Sequence, residues 1–211
     1  MTDEWDRLAN TERWRPLVAF IRNWVGSFDS RCGMSEVELH LILSRHSFAI
    51  PSAVCEWYQL SSKWDSHGQN LWIPAQELSV VNDALLLLTD EDGISNWGVM
   101  SQDLRIDDPP VVPLEPLGET MSLSFSMFVL EMVVNDVIFD NNKDDPAELS
   151  ATSGLSCFAS TPVGDFMADG PLESASVIAF AYPSNGPILS RSRSEAGNSL
   201  IRNLQGAPKA R

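Results

Sequence analysis

The 211-residue chain is poor in cysteine, in histidine and in positive charge, with three cysteines, three histidines, and 14 Lys and Arg against 29 Asp and Glu. Each scarcity excludes something. Cys32, Cys55 and Cys157 are odd in number and widely spaced, so they make no disulfide framework. With no C-x-x-C pair, neither a zinc ribbon nor a thioredoxin-type site is supported, and buried thiols in a reducing compartment are the expectation. A formal net charge of −15 argues against direct binding to DNA or RNA, because phosphates are neutralised by Lys and Arg. It argues equally against an anionic membrane surface. No apolar run approaches the roughly 18 to 20 residues that span a bilayer. The longest candidates are Ala84–Leu88 and Met127–Val134, and Glu131 interrupts the second. The first residues, Met1-Thr-Asp-Glu-Trp-Asp6, are acidic and lack the basic-then-apolar order of a secretory signal. The expectation is a cytoplasmic globular protein; 44% hydrophobic residues suffice for one core, or at most two small ones.

Catalytic signatures are scarce as well. The nearest string to a G-x-S-x-G nucleophile turn, Gly154-Leu-Ser-Cys-Phe158, lacks its second glycine. There is no phosphate-binding G-x-x-x-x-G-K, no G-x-G-x-x-G and no H-E-x-x-H. His40 and His46 are six residues apart, which does not align two ligands on one helical face. Asp140-Asn-Asn-Lys-Asp-Asp145 resembles the opening of a calcium loop, but its sixth position is Asp145 rather than glycine and its twelfth is Ala151 rather than glutamate. The sequence therefore points to no catalytic residues, no metal and no cofactor. An enzyme reading needs a pocket that gathers Asp65, His67 or Cys157 with perturbed pKa values.

What the chain has is acid, unevenly placed. Asp90 to Glu148 holds 14 acidic residues and two basic ones, Arg105 and Lys143, whereas Arg191 to Arg211 holds five basic residues and one acid. Such a surface keeps a protein soluble, and it also attracts a basic macromolecule. All seven tryptophans lie at or before Trp97. No repeat and no long Pro- or Gly-rich linker divides the chain, which reads as one compact domain with some loops.

Apolar periodicity places the elements. Trp14, Leu17, Val18, Ile21, Trp24, Val25 and Phe28 form one helical stripe about 15 residues long, with Pro16 in its first turn. Ser35 and Glu38 form an S-x-x-E capping box, followed by Leu39, Ile42 and Leu43 as a buried face. A third helix begins near Ile50-Pro51, with Val54, Trp57, Tyr58 and Leu60 inward. Leu71-Trp72-Ile73 is a short apolar segment. Ala84–Leu88 and Ser95–Met100 flank a turn in which Gly93 supplies positive φ, so they read as a hairpin, with Trp97 as core. Asp107-Asp108-Pro109-Pro110 reads as a loop or edge, and Val111–Leu114 as a further strand. Ser122–Phe139 reads as a long helix, Ser150 to Gly170 as an irregular stretch, Val177–Tyr182 with Ile188–Leu189 as a last hairpin, and the tail from Gly206 as frayed.

The ordered set is similar to the SUKH superfamily, which contains immunity proteins of bacterial toxin systems and fungal regulators of cell-wall glucan synthesis. Phe48-Ala-Ile-Pro51 with the helix carrying Trp57 and Tyr58 resembles the family's proline-initiated helix. Leu71-Trp-Ile-Pro-Ala-Gln-Glu-Leu78 follows. Leu85–Val99, with its Thr89-Asp-Glu-Asp-Gly93 turn and Trp97-Gly-Val99, resembles the family's strand, acidic turn and strand. Asp107-Asp-Pro-Pro-Val111 resembles the D-D-P-P-V that follows, and Ser122–Phe139 and Val177–Leu189 resemble the last helix and hairpin. The likeness covers about residues 35 to 190, and departs from the pattern at Asp92, where the family has asparagine, and in the 61–70 loop, which lacks Asn-Gly-Gly.

The resemblance implies an α+β fold: a single domain with a mixed or antiparallel sheet covered by helices. It divides the chain into an N-terminal helical extension (1–34), the SUKH-like domain (35–190) and a basic C-terminal segment (191–211). It implies a non-catalytic protein-binding module. An immunity protein that neutralises a basic, possibly nuclease, toxin would do so through Asp90, Glu91, Asp92, Asp107 and Asp108. A regulatory or scaffold protein of the same fold is the alternative, and an enzyme a more distant one.

Overall fold

The computed structural model describes residues 2–64, 70–90, 93, 95–114, 123–139, 147–149, 154–161, 164–172, 174–181 and 188–205. It is an α+β fold with antiparallel sheets. The described elements run α1 (Thr2–Ala9), α2 (Arg15–Trp24), α3 (Glu36–Leu43), α4 (Ser52–Ser61), β1 (Asn70–Trp72), β2 (Val80–Val81), β3 (Ala84–Asp90), β4 (Asn96–Met100), β5 (Val112–Pro113), α5 (Phe125–Ile138), β6 (Ala147–Leu149), β7 (Ser156–Thr161), β8 (Gly164–Ala168), β9 (Val177–Ala181), β10 (Ile188–Ser192) and α6 (Glu195–Gln205). The strands fall into two sheets rather than one. The chain clusters into two compact units, one of Met1–Val18 with Ser27–Val133, the other of Ala19–Gly26 with Val134–Arg211.

The sheet of the first unit is ordered β1-β3-β4-β5, with β2 also paired to β3. β3 carries Ala84, Leu85, Leu87 and Leu88, all buried, so it is apolar on both faces as a central strand must be. One edge of β3 is shared: β2 covers Ala84 and Leu85, and β1 covers Leu88 to Asp90. The β2–β3 connection is a two-residue loop, Asn82-Asp83, with φ of 50° and 63°. Positive φ at both positions is the mirror-image turn that matches strand twist, and Asn and Asp tolerate it. The far edge is β5, two residues long and ended by Pro113, a short edge that resists further pairing. The β3–β4 hairpin is as the sequence indicates, with Gly93 at φ 67°.

The helices of the first unit bury aromatic rings. Trp14, Trp57, Phe125 and Phe128 are each 1% exposed or less. Trp14 stacks on Trp57 at 5.8 Å and meets Phe125 edge-on at 6.4 Å. The expected capping box forms in part: Ser35 Oγ accepts from the Glu38 amide at 3.2 Å, while the Glu38 carboxylate goes to Lys63 Nζ at 3.2 Å. The long N-terminal stripe is shorter than expected. α2 has ten residues, Trp14 precedes it and Phe28 follows it in non-helical chain beyond Gly26, yet both side chains are buried. α1 carries Trp5 and Leu8 inward.

The second unit has the sheet order β6-β10-β9-β8-β7, antiparallel throughout. Val177 to Phe180 are all buried, which makes β9 its central strand. Phe166 and Phe180 are register partners with rings 4.8 Å apart. α6 packs against β6, β9 and β10, and Ile201 joins Leu149, Val177 and Ala179 in one buried cluster. Two expectations change here. The 150–170 stretch holds the β7–β8 hairpin, and much of the basic C-terminal segment is ordered as β10 and α6.

Candidate functional site

Arg13 lies in the turn between α1 and α2. Its Nη1 donates to Glu56 Oε2 at 2.7 Å and its Nη2 donates to Asp107, while Nε stands 3.8 Å from Asp108 Oδ2. Trp14 Nε1 donates to the same Glu56 oxygen at 2.7 Å. Burial works against the Arg13 charge, but the hydrogen bonds to Asp107 and Glu56 outweigh it and raise the guanidinium pKa above its ordinary value. A hydrogen bond from Ser52, then the Arg13 guanidinium, holds the Asp107 carboxyl below its ordinary range.

The same loop closes two helix starts. Pro51 precedes α4 and offers no side-chain cap. The Asp107 carbonyl instead accepts from the Ala53 amide at 3.0 Å. At α5, Asp108 Oδ1 accepts from the Ser126 amide at 2.9 Å, Oδ2 accepts from the Ser126 hydroxyl at 2.6 Å, and the Pro109 carbonyl accepts from the Phe125 amide at 2.8 Å. First-turn amides need acceptors, and the positive end of a helix favours carboxylates. Asp107 and Asp108 are thus brought together, and both are engaged within the fold. They differ in access: the Asp107 side chain is 62% exposed and that of Asp108 22%.

Asp90 stands at the end of β3 and is bonded to Gly93 and Ser95. Its amide donates to the Ser95 carbonyl at 3.0 Å, its carbonyl accepts from Gly93 at 3.0 Å, and its Oδ2 accepts from the Ser95 amide at 3.0 Å. Glu91 and Asp92 lie outside the described residues, as do Asp65, His67 and the Asp140–Asp145 loop. Of the 14 acids between Asp90 and Glu148, seven are described: Asp90, Asp103, Asp107, Asp108, Glu131, Asp136 and Glu148.

Glu131 is a different kind of acid. It is 3% exposed in α5, and neither carboxyl oxygen has a hydrogen-bond partner. Burial pushes its pKa up to about 7. The remaining nucleophile and ligand candidates do not assemble. Among the described residues, no three His, Cys, Asp or Glu are placed to hold a metal ion. His40 is exposed on α3, and His46 Nε2 lies 3.0 Å from the Ala75 carbonyl with its ring stacked on Phe48. Burial raises the Cys55 thiol to about 11, away from reactivity. Cys157 is exposed on β7. Among the described residues no helix is long and apolar enough to cross a membrane.

A concave feature of the first unit was not legible from periodicity. Trp57, Tyr58, Ser62, Trp64, Leu71 and Trp72 line a groove of about 220 Å³ between the end of α4 and β1. Helical spacing marks Trp57 and Tyr58 as core, and they are buried, at 1% and 4% exposure. Trp64 and Trp72 are half-buried and flank Trp57, at 6.3 Å and 5.6 Å between ring centroids. Three tryptophans within 16 positions were the available signal.

Compared with known proteins, the chain matches no family model, no curated protein and no solved structure.

Proposed function

We propose that the chain is a non-catalytic protein-binding module of the SUKH immunity type, which neutralises a basic, nuclease-type toxin by covering its cationic groove. The observation that carries this reading is the concentration of 14 acids against two bases between Asp90 and Glu148, in a chain of net charge −15. A nuclease holds its substrate with Lys and Arg, and a carboxylate surface competes for those groups and steers the encounter. Asp90 ends β3, where its hydrogen bonds with Gly93 and Ser95 hold it in the hairpin, and Glu91 and Asp92 follow it in the sequence. Asp107 keeps an open face while it holds Arg13. Asp108 ties the loop to the start of α5 through Ser126.

The test is capture from the source cells with the intact chain, followed by purification of the captured partner and an assay of its toxicity with and without the chain. The expected result is a basic protein whose toxicity the chain relieves, with the triple variant Asp90→Asn, Glu91→Gln, Asp92→Asn relieving it less. A partner of neutral or acidic charge, or one whose activity the chain leaves untouched, overturns the proposal and favours a regulatory or scaffold role.

A further inference from the structure

We propose that the tryptophan groove at the end of α4 is the seat for an arginine side chain of the basic partner. The inference rests on the protein-binding reading above and adds to it a site at which the partner is anchored. Trp57 lies behind the groove, buried to 1% exposure. Trp64 meets it edge-on at 85° and Trp72 is tilted at 60°, and these two half-buried rings are the ones a ligand can reach. Each ring is held by further aromatic contacts. Trp64 packs edge-on against Phe28 at 5.2 Å, Trp72 against Phe125 at 6.2 Å and Phe128 at 6.3 Å, and Trp57 against Trp14. Aromatic rings already held in place cost little ordering on binding.

The chemistry selects a cation. Aromatic faces carry negative potential, tryptophan most of all, and attract a cation placed over them. The described residues lining the groove include no Lys or Arg, and none is charged. The neighbouring Lys63 is held by Glu38. Net charge −15 raises the local concentration of cations at the surface.

Guanidinium fits better than ammonium because it is planar, stacks on aromatic rings, is weakly hydrated and carries five N–H donors that need acceptors. Ser62 lines the groove and carries an unused hydroxyl. The Ser62 hydroxyl oxygen is buried and has no hydrogen-bond partner in the fold. Its neighbour Ser61 Oγ is used on the Trp57 carbonyl at 2.8 Å, and Tyr58 OH on the Ile73 carbonyl at 2.6 Å, so Ser62 is the group left for a ligand. Arg and Trp are also the residues in which interface energy concentrates.

The experiment titrates the intact protein with arginine amide and, separately, with citrulline amide, its uncharged analogue, while the indole N–H signals are followed by NMR. Arginine amide is expected to shift the signals of Trp57, Trp64 and Trp72 and leave that of Trp97 in place, and to bind at least about tenfold more tightly than citrulline amide. Leu71→Lys plants a cation at the mouth from a half-exposed edge-strand position that tolerates lysine. It is expected to weaken arginine amide about tenfold or more, with the spectrum otherwise folded. Trp64→Phe, which keeps a ring with a weaker face, is expected to fall between. Equal shifts with both amides, no shift at all, or a Leu71→Lys protein that binds as the parent does overturns the seat. If arginine amide fails while a captured basic protein still binds, the seat falls and the protein-binding reading stands. If arginine amide binds as described but no basic protein is captured, the reading falls and the cation seat stands.

Discussion

Arg13 and Asp107, 94 positions apart in the chain, are joined by a hydrogen-bonded ion pair. Through it the turn after α1 is tied to the loop that closes α4 and α5. The Asp-Asp-Pro-Pro string thereby has a mechanical role: one carbonyl, one carboxylate and one more carbonyl supply acceptors to two helix starts, of which α4 has no side-chain cap of its own.

Removing the guanidinium should be felt at three carboxylates at once. Arg13→Ala is expected to lower stability by about 1 to 2 kcal/mol, the cost of leaving partly buried acceptors unpaired, reduced by solvent at the exposed Asp107. The midpoint of urea unfolding measures it. A variant as stable as the parent would show the cluster to be ornamental.

Asp108→Ala should cost about 1 kcal/mol, as loss of a helix cap does. Asp108→Asn, which keeps an acceptor for the Ser126 amide, should cost less. Amide exchange in the first turn of α5 should rise in the alanine variant before it rises in the rest of the helix.

Two carboxyls tie stability to pH in opposite directions. Glu131 is raised from 4.5 to about 7. The folded state therefore holds its proton where the unfolded chain has released it. Stability from this group is complete below pH 4.5 and is lost as pH rises through 7. The loss is about 3 kcal/mol at most, since one pKa unit corresponds to about 1.4 kcal/mol. Asp107 is lowered instead, so its contribution is present above its ordinary value of 3.8 and disappears as pH falls below that. Unfolding free energy measured from pH 4.5 to 8 should slope downward, and Glu131→Gln should flatten the slope. An unchanged slope in that variant contradicts the assignment.

Gly33 precedes α3 at a close approach. A Cβ there would lie 1.6 Å from the Gln59 carbonyl oxygen, a backbone atom of α4. Gly33→Ala must displace one of the two segments and is expected to cost about 2 to 3 kcal/mol. Gly170→Ala, where nothing lies within 4 Å, serves as the neutral comparison.

Local patterns made most of the first unit legible. Leu85 to Leu88 and Gly93 announce the central hairpin, and the alternation of buried side chains along α4 and α5 follows from their apolar spacing. What escaped is what depends on distant partners. β7 reads Ser-Cys-Phe-Ala-Ser-Thr and β8 Gly-Asp-Phe-Met-Ala, polar enough to pass for loop; β8 is a strand because it pairs with apolar β9, and β7 because it pairs with β8. α6 has an ordinary charged tail composition and gains its place by docking Ile201 on Val177 and Ala179. In the candidate site, acidity was visible but not allocation. The sequence shows Asp107 and Asp108 side by side, and it takes Arg13 and Ser126 to show that their charge is partly spent inside the fold.

The central claim is that carboxylates of this chain steer it onto a cationic protein. The most direct measurement is the association rate constant with the purified captured partner as ionic strength is raised about tenfold. The account predicts a fall of about tenfold to a hundredfold, with dissociation changing much less, and a shallower fall when Asp90, Glu91 and Asp92 are neutralised. An association rate that does not respond to salt contradicts it.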